Sequence, residues 1–181
     1  MPENLPTCPG MAAPLLLLCG PAFSGKTTLA DHLARAWRFR VVSLDEINGR
    51  RGLWGGEGVP EAEWARTASI ARAQARELLA DPASRVVVDD TFCFRFLRRD
   101  FAALAGEVGR SSRLLLLATP VDELRRRIAE NEKAPGRRGI RGDVLERHLA
   151  SFEWPGDDEP HVGVSDASAL DRWLAHEAPT W

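Results

Sequence analysis

Between Gly20 and Thr27 the chain reads Gly-Pro-Ala-Phe-Ser-Gly-Lys-Thr, two glycines with four residues between them running straight into a lysine and a hydroxyl. Glycine lets the backbone bend so that successive N–H groups point at one anion. A helix opening at the lysine adds roughly half a positive charge to the same spot. The pattern G-x-x-x-x-G-K-[ST], after an apolar run and before an amphipathic one, is that of a loop built to hold the phosphates of ATP or another nucleoside triphosphate. Gly20, Ala22, Phe23, Ser24, Gly25, Lys26, Thr27 and Thr28 are the expected phosphate-side residues. Lys26 is placed to reach the β- and γ-phosphates, and Thr27 offers its hydroxyl to Mg²⁺. A plain glycine turn is the bland alternative, and pattern and context together weigh against it.

Three acidic positions follow short apolar runs. Asp45 comes after Val41–Leu44 and could orient and deprotonate an incoming hydroxyl, or serve only as a helix N-cap with Glu46 in the first turn. Glu46 is the weaker alternative for the same catalytic role. Asp89 ends Val-Val-Val-Asp, the pattern of a strand whose carboxylate holds Mg²⁺. Asp90, with Thr91, stays open between the metal and the cap of the next helix. Arg125, Arg126 and Arg127 precede a basic, glycine-rich stretch, Lys133–Gly142, that carries Arg137, Arg138 and Arg141. Most of these arginines are expected to pair with Glu123 and Glu130 along a solvated helix face. At least one should contact phosphate, since a closing lid must neutralise the charge it covers; Arg137 and Arg138 are taken as ATP contacts.

The elements that must position these groups are legible as a rhythm. Leu15–Cys19, Val41–Leu44, Val86–Val88 running into Asp89, and Leu114–Ala118 read as buried strands, with His161–Val164 a weaker fifth. Helical stripes lie between them, over 61–80, 95–109 and 121–132, after the phosphate loop, and around Leu145–Phe152 and Leu170–Leu174. Continuous apolar strands separated by helices predict an α/β domain with a parallel sheet covered on both faces. Ligands in such sheets bind at the carboxyl ends of the strands. Asn48–Pro60, with five glycines, reads as a binding loop on the acceptor side. Arg50, Trp54 and Arg95 are the expected substrate contacts there; Trp54 could stack on an acceptor ring or plug its loop onto the domain. Trp64 and Trp173 sit on apolar stripes and are expected in the core.

The 181 residues, 44% hydrophobic, suffice for one domain with one substantial core. Residues 1–13 read as a flexible leader and 14–181 as the domain, with a lid around 133–142. No apolar run reaches the ~18 residues that span a bilayer, so no membrane association is expected. No basic segment with a cleavage site opens the chain, and Cys8, Cys19 and Cys93 show no paired spacing, which points to a reducing cytoplasm. His32, His148, His161 and His176 lie in unrelated segments without zinc-ligand spacing. The net charge of −2 argues against bulk nucleic-acid binding but is uneven. Residues 95–147 hold 13 basic and 8 acidic side chains, giving +5, and residues 148–181 hold 1 and 7, giving −6.

Over residues 14–165 the chain resembles the small P-loop kinases grouped around zeta toxins, chloramphenicol phosphotransferase, the kinase domain of polynucleotide kinases and phosphoseryl-tRNA kinase. The resemblance rests on GPAFSGKT, SLDEINGRRGLW, VVVDDTFCFRFLRR, and P-VDELRRR followed by the basic loop. It looks closest to the phosphoseryl-tRNA kinase-like branch, which includes bacterial AAA-type ATP-binding proteins of unassigned substrate. It implies a three-layer P-loop fold with five parallel strands ordered 2-3-1-4-5 and a helical lid. It also implies Asp45 as the acceptor-side base and Arg127 as the lid arginine. Phe92 stands where that branch often carries Asn, and Asn131 where it carries a second lid arginine. The expected activity is Mg²⁺- and ATP-dependent phosphorylation of a hydroxyl on a small molecule, a nucleotide or an RNA end, with Lys26, Asp45 and Arg127 as the catalytic set. A nucleotide-hydrolysing or nucleotide-sensing module, or a zeta-like toxin, is the competing expectation.

Overall fold

Leu15–Cys19, in which every side chain is buried, forms the central strand β1. A strand apolar on both faces needs cover on both, and it has neighbours on both edges. The computed structural model describes residues 12–53, 59–133 and 142–178. Beside β1 lie β2 (Arg40–Ser43), β3 (Val86–Asp89), β4 (Ser112–Leu116) and β5 (His161–Gly163), all parallel, in the order β2-β3-β1-β4-β5. This is the order that the resemblance implies.

The helices are α1 (Lys26–Trp37), α2 (Leu44–Arg50), α3 (Glu61–Leu79), α4 (Arg95–Glu107), α5 (Val121–Glu132), α6 (Gly142–Ala150) and α7 (Ala167–Glu177). Period-two alternation along β1 sorts them into layers. Leu15, Leu17 and Cys19 pack with Ile47 of α2, Ala71, Ala75 and Leu79 of α3, and Phe101 and Leu104 of α4. Leu16 and Leu18 face the other way, onto Leu29 and Leu33 of α1 and Leu170 and Leu174 of α7. A small third core joins Leu124 and Ile128 of α5 to Leu145 of α6, with Phe23 and Leu149 against it. Phe23 of the phosphate loop therefore packs against α5 and α6.

Arg110 fastens the end of the sheet far from the site. Its guanidinium donates to the carbonyls of Ala13, Ser84, Leu79 and Asp81. Ala13, expected in the loose leader, is buried.

The structure corrects four expectations. Asn48–Arg50 belongs to α2 and not to a loop, because Ser43 caps that helix by accepting from the Glu46 N–H and Asn48 is buried against Thr67 of α3. Val41 is exposed, since β2 is an edge strand. The fourth strand begins at Ser112 and ends at Leu116. Trp64 is 36% exposed, so α3 turns small residues, not the indole, toward the sheet. Trp54, Arg137, Arg138 and Arg141, with most of the expected lid loop and leader, lie outside the described residues.

Candidate active site

β1 ends at Cys19 and the chain turns at Gly20, whose φ is 155°. A Cβ there would sit 2.7 Å from the Leu117 carbonyl oxygen, so only glycine fits. The loop then passes through Phe23 at φ 64° and Gly25 at φ 103°, which is the N-cap of α1. Thr119 braces it by donating to the Ser24 carbonyl at 3.1 Å. Ala22 and Phe23 are half-buried, Ser24 and Lys26 buried, and Thr27 and Thr28 exposed at the mouth. Gly25 leaves the first-turn N–H groups of α1 without a side-chain cap, as an anion site requires.

Lys26 folds back across this loop. Its Nζ donates to the Pro21 carbonyl at 2.7 Å and lies 3.5 Å from Ser24 Oγ. Burial pulls its pKa down from the usual lysine value, opposed by the carboxylates of Asp89, Asp90 and Asp45. Those three acids and the lysine thus share one electrostatic neighbourhood, which the sequence could only suggest. Thr27 Oγ1 donates to Asp89 Oδ2 at 2.9 Å. Burial pushes Asp89 up, countered by this bond and by Lys26. Two hard oxygens side by side fit Mg²⁺, which usually takes one or two protein oxygens and completes its shell with phosphates and water. No group of three His, Cys, Asp or Glu side chains forms a metal cage among the described residues.

Asp90 is placed differently. Its Oδ2 accepts from the Phe92 N–H at 2.9 Å, a turn that carries Phe92 through φ 46° into the core, edge-on to Phe101. Burial first, and then the negative charge of Asp45, push Asp90 up to about 6. It does not cap α4, whose N-cap is Phe94. Phe92 where the resemblance has Asn thus builds the core under the site. Asp45 stands exposed in the first turn of α2 and is not its cap, a role that Ser43 fills.

The three arginines of α5 separate clearly. Arg125 pairs with Glu146 and Asp122, and Arg126 with Glu123 and Glu130, as a solvated helix face would have it. Arg127 instead donates from Nη1 to the Phe23 carbonyl at 2.9 Å, with Nε on Glu123 at 2.7 Å. Its Nη1 lies 3.8 Å from where a Gly25 Cβ would be. Arg126 and Arg127 hold the Glu123 carboxyl down to about 2.

Of the expected substrate contacts, Arg50 is exposed in the last turn of α2. Arg95 is held by acids: its guanidinium donates to Asp158 at 2.6 Å, and its N–H donates to Glu153. Sequence reasoning missed His148. This α6 residue lies within reach of the Lys26 charge, yet an isolated histidine in a helical stripe gives no signal of that. The structure adds Arg98 as well, 2% exposed, forked onto both oxygens of Glu159 and donating to the Phe92 carbonyl at 2.7 Å.

An AAA domain family model matches residues 15–155. Among solved structures, Chaetomium thermophilum Kti12 in complex with ADP-AlF3 superposes with a TM-score of 0.72 at 17% identity, over 92% of this chain and 98% of that one. The Mycobacterium tuberculosis APS kinase CysC, in complex with AMPPNP and APS, gives 0.66 at 19% identity over 92% and 98%. A gluconokinase from Sinorhizobium meliloti 1021 gives 0.64 at 16% identity over 93% and 97%. At these identities the likeness is one of fold, the nucleotide-binding kinase-like fold with its phosphate loop at the carboxyl end of β1. With more than half of its length matched and that loop in place, the chain belongs to the AAA domain family.

Proposed function

We propose that the protein is a Mg²⁺-dependent kinase that moves the γ-phosphoryl group of ATP to a hydroxyl of a small molecule, a nucleotide or an RNA end. The observation that carries this reading is the convergence of Lys26, the Thr27–Asp89 pair and Asp45 at the carboxyl ends of β1, β2 and β3. The phosphate loop and Lys26 bind the triphosphate, and Arg127 crosses from α5 to the γ-phosphate side. Thr27 and Asp89 would hold Mg²⁺, which would supply neutralising charge to the phosphates during transfer. Asp45 orients the acceptor. The acceptor oxygen forms a bond to the γ-phosphorus while the bond to the β–γ bridging oxygen breaks. ADP leaves with that electron pair, and the hydroxyl proton passes to the Asp45 carboxylate. On this reading Arg50, Trp54 and Arg95 contact the acceptor, and Arg137 and Arg138 contact ATP. The free thiols of Cys19 and Cys93 are in keeping with a reducing cytoplasm, and no described helix is long and apolar enough to cross a membrane.

Asp45→Asn tests this reading, because Asn keeps the shape but takes no proton. At saturating ATP, acceptor phosphorylation is expected to fall by ~10²–10⁴ and release of free phosphate to water to fall less. Product formation and phosphate release are measured side by side on wild type and variant. Equal losses in both move Asp45 to the metal. No loss in either removes it from the chemistry, and ATP consumption with no acceptor product from any hydroxyl compound leaves a nucleotide-hydrolysing module.

A further inference from the structure

Asp89 ends β3, and in the turn beyond it Phe92 passes through φ 46°. A residue with a Cβ rarely adopts that conformation, and it persists only where its surroundings hold it. Here each side of the turn is held. The Gly20 N–H donates to the Thr91 carbonyl at 3.1 Å, which joins the turn to the first residue of the phosphate loop. The Phe92 N–H donates to Asp90 Oδ2 at 2.9 Å. The Glu153 N–H donates to the Cys93 carbonyl at 2.9 Å.

The Phe92 carbonyl is taken by Arg98, near the start of α4. Its Nη1 donates there at 2.7 Å, and the Cys19 thiol adds a weaker bond at 3.7 Å. The rest of the guanidinium is fixed as well. Nε and Nη2 each donate to one oxygen of Glu159, both at 2.7 Å, just ahead of β5. Arg98 is buried and Glu159 half-buried.

Stability is a poor reason for such a pair. Desolvating two charges cancels much of what their attraction gains, and apolar side chains of similar size often serve a fold as well. Apolar side chains would not supply a donor to the Phe92 carbonyl, and the two-pronged bond to Glu159 sets the direction of that donor.

On the reading that this is a kinase, we propose that Arg98, aimed by Glu159, is a positioning residue for the transfer. It locks the turn through which β3 leaves the sheet, and so fixes the two carboxylates at that end. Asp90 is bonded to the N–H of the residue whose carbonyl Arg98 holds, and Asp89 accepts from Thr27. The effect of Arg98 therefore falls on the Thr27–Asp89 pair that would hold Mg²⁺. It does not fall on the phosphate-binding N–H groups, because Thr119 and Arg127 brace the loop separately at Ser24 and Phe23.

The test removes both charges at once, in Arg98→Met/Glu159→Leu, so that no acid is left beside an emptied partner position. Full-length wild type and variant are compared in urea unfolding without nucleotide, in equilibrium binding of AMPPNP with Mg²⁺ and with EDTA, and in ADP release from ATP as Mg²⁺ is varied. The variant is expected to unfold near the wild-type midpoint and to bind AMPPNP in EDTA as wild type does. The gain in AMPPNP affinity from Mg²⁺ is expected to shrink, and the Mg²⁺ needed for half-maximal ADP release to rise, each by about tenfold or more, as when a metal ligand loses its outer support. A variant that folds and responds to Mg²⁺ as wild type does makes Arg98–Glu159 a structural tie and overturns the proposal. Arg98→Lys, whose single ammonium cannot reproduce the fork, is expected to show a smaller shift of the same sign. It decides the matter if the double variant does not fold: a wild-type Mg²⁺ response in Arg98→Lys then overturns the proposal. Neither binding nor ADP release needs an acceptor. ATP consumption with no phosphorylated acceptor, alongside the expected Mg²⁺ shift, would sink the kinase reading and leave Arg98 its role. Phosphorylation of an acceptor with an unshifted Mg²⁺ response would do the reverse.

Discussion

At the scale of single residues, the site is a set of groups held in place by the loop they serve. Phe23 adopts φ 64°, uncommon for a residue with a Cβ, and its carbonyl is pinned by Arg127. Glu123, fully ionised at neutral pH with its pKa held down to about 2, keeps that guanidinium aimed at the loop. On the proposed kinase reading, this leaves the arginine prepositioned for charge that develops during transfer, where such groups contribute most. Arg127→Ala is expected to lower kcat by on the order of 10² or more and to change ATP affinity little. Separate determinations of kcat and of the ATP dissociation constant check this. A collapse of affinity with kcat near that of wild type would reduce Arg127 to a brace for Phe23.

At the scale of elements, α6 carries a histidine whose titration opposes folding in acid. His148 stands edge-on to Phe152, and burial first, then the Lys26 charge, hold its folded pKa below its ordinary value of 6.5. A histidine depressed in this way binds fewer protons folded than unfolded, so stability is lost as pH falls from about 6.5 toward the folded pKa. His148→Phe keeps the edge-on ring pair and removes the titration. Its unfolding free energy is expected to be flatter than that of wild type between pH 7 and about 5, measured in urea without nucleotide. An unchanged slope would place the acid sensitivity elsewhere. This contribution was invisible in the sequence, and the reason is general. Leu15–Cys19 and Val121–Glu132 were legible to the residue because local periodicity alone sets them. The helix α2 was legible only as a start near Asp45; its run through Asn48–Arg50 was not, since Asn48 and Gly49 are poor helix formers and its stability comes from the Ser43 cap, from buried Ile47, and from Thr67 on α3. Trp64 looked like core because it falls on an apolar stripe, but the face that α3 buries is the one carrying Thr67, Ala71, Ala75 and Leu79. The phosphate loop was legible in full, being a continuous motif. The convergence of Asp45, Asp90 and His148 on Lys26 depends on strand order and on the fold of the lid helices, which no local pattern carries.

At the scale of the whole molecule, Lys26, Thr27, Asp45 and Asp89 lie at one end of the sheet and the Arg110 fastening at the other. Arg110 ties four carbonyls together below the strands, while above them Lys26 is buried among carboxylates with its ammonium folded onto Pro21. A triphosphate entering between them brings negative charge to a cation that the folded protein desolvates and to N–H groups that have no cap. Binding there is available only to the native state, so it adds to stability by mass action. At about 100 times its dissociation constant, Mg-ATP is expected to add about 2.7 kcal/mol. For a domain of this size that raises Tm by roughly 5–11 °C, at about 2–4 °C per kcal/mol. Lys26→Ala should fold, since the lysine is held in an unfavourable buried position, and should lose most of the shift because the β- and γ-phosphates lose their cation. Differential scanning calorimetry with and without Mg-ATP, on wild type and Lys26→Ala, measures both. A full shift that survives in Lys26→Ala would show that the triphosphate is held without Lys26. The folded-back contact with Pro21 would then be the lysine's resting place and not a poised one.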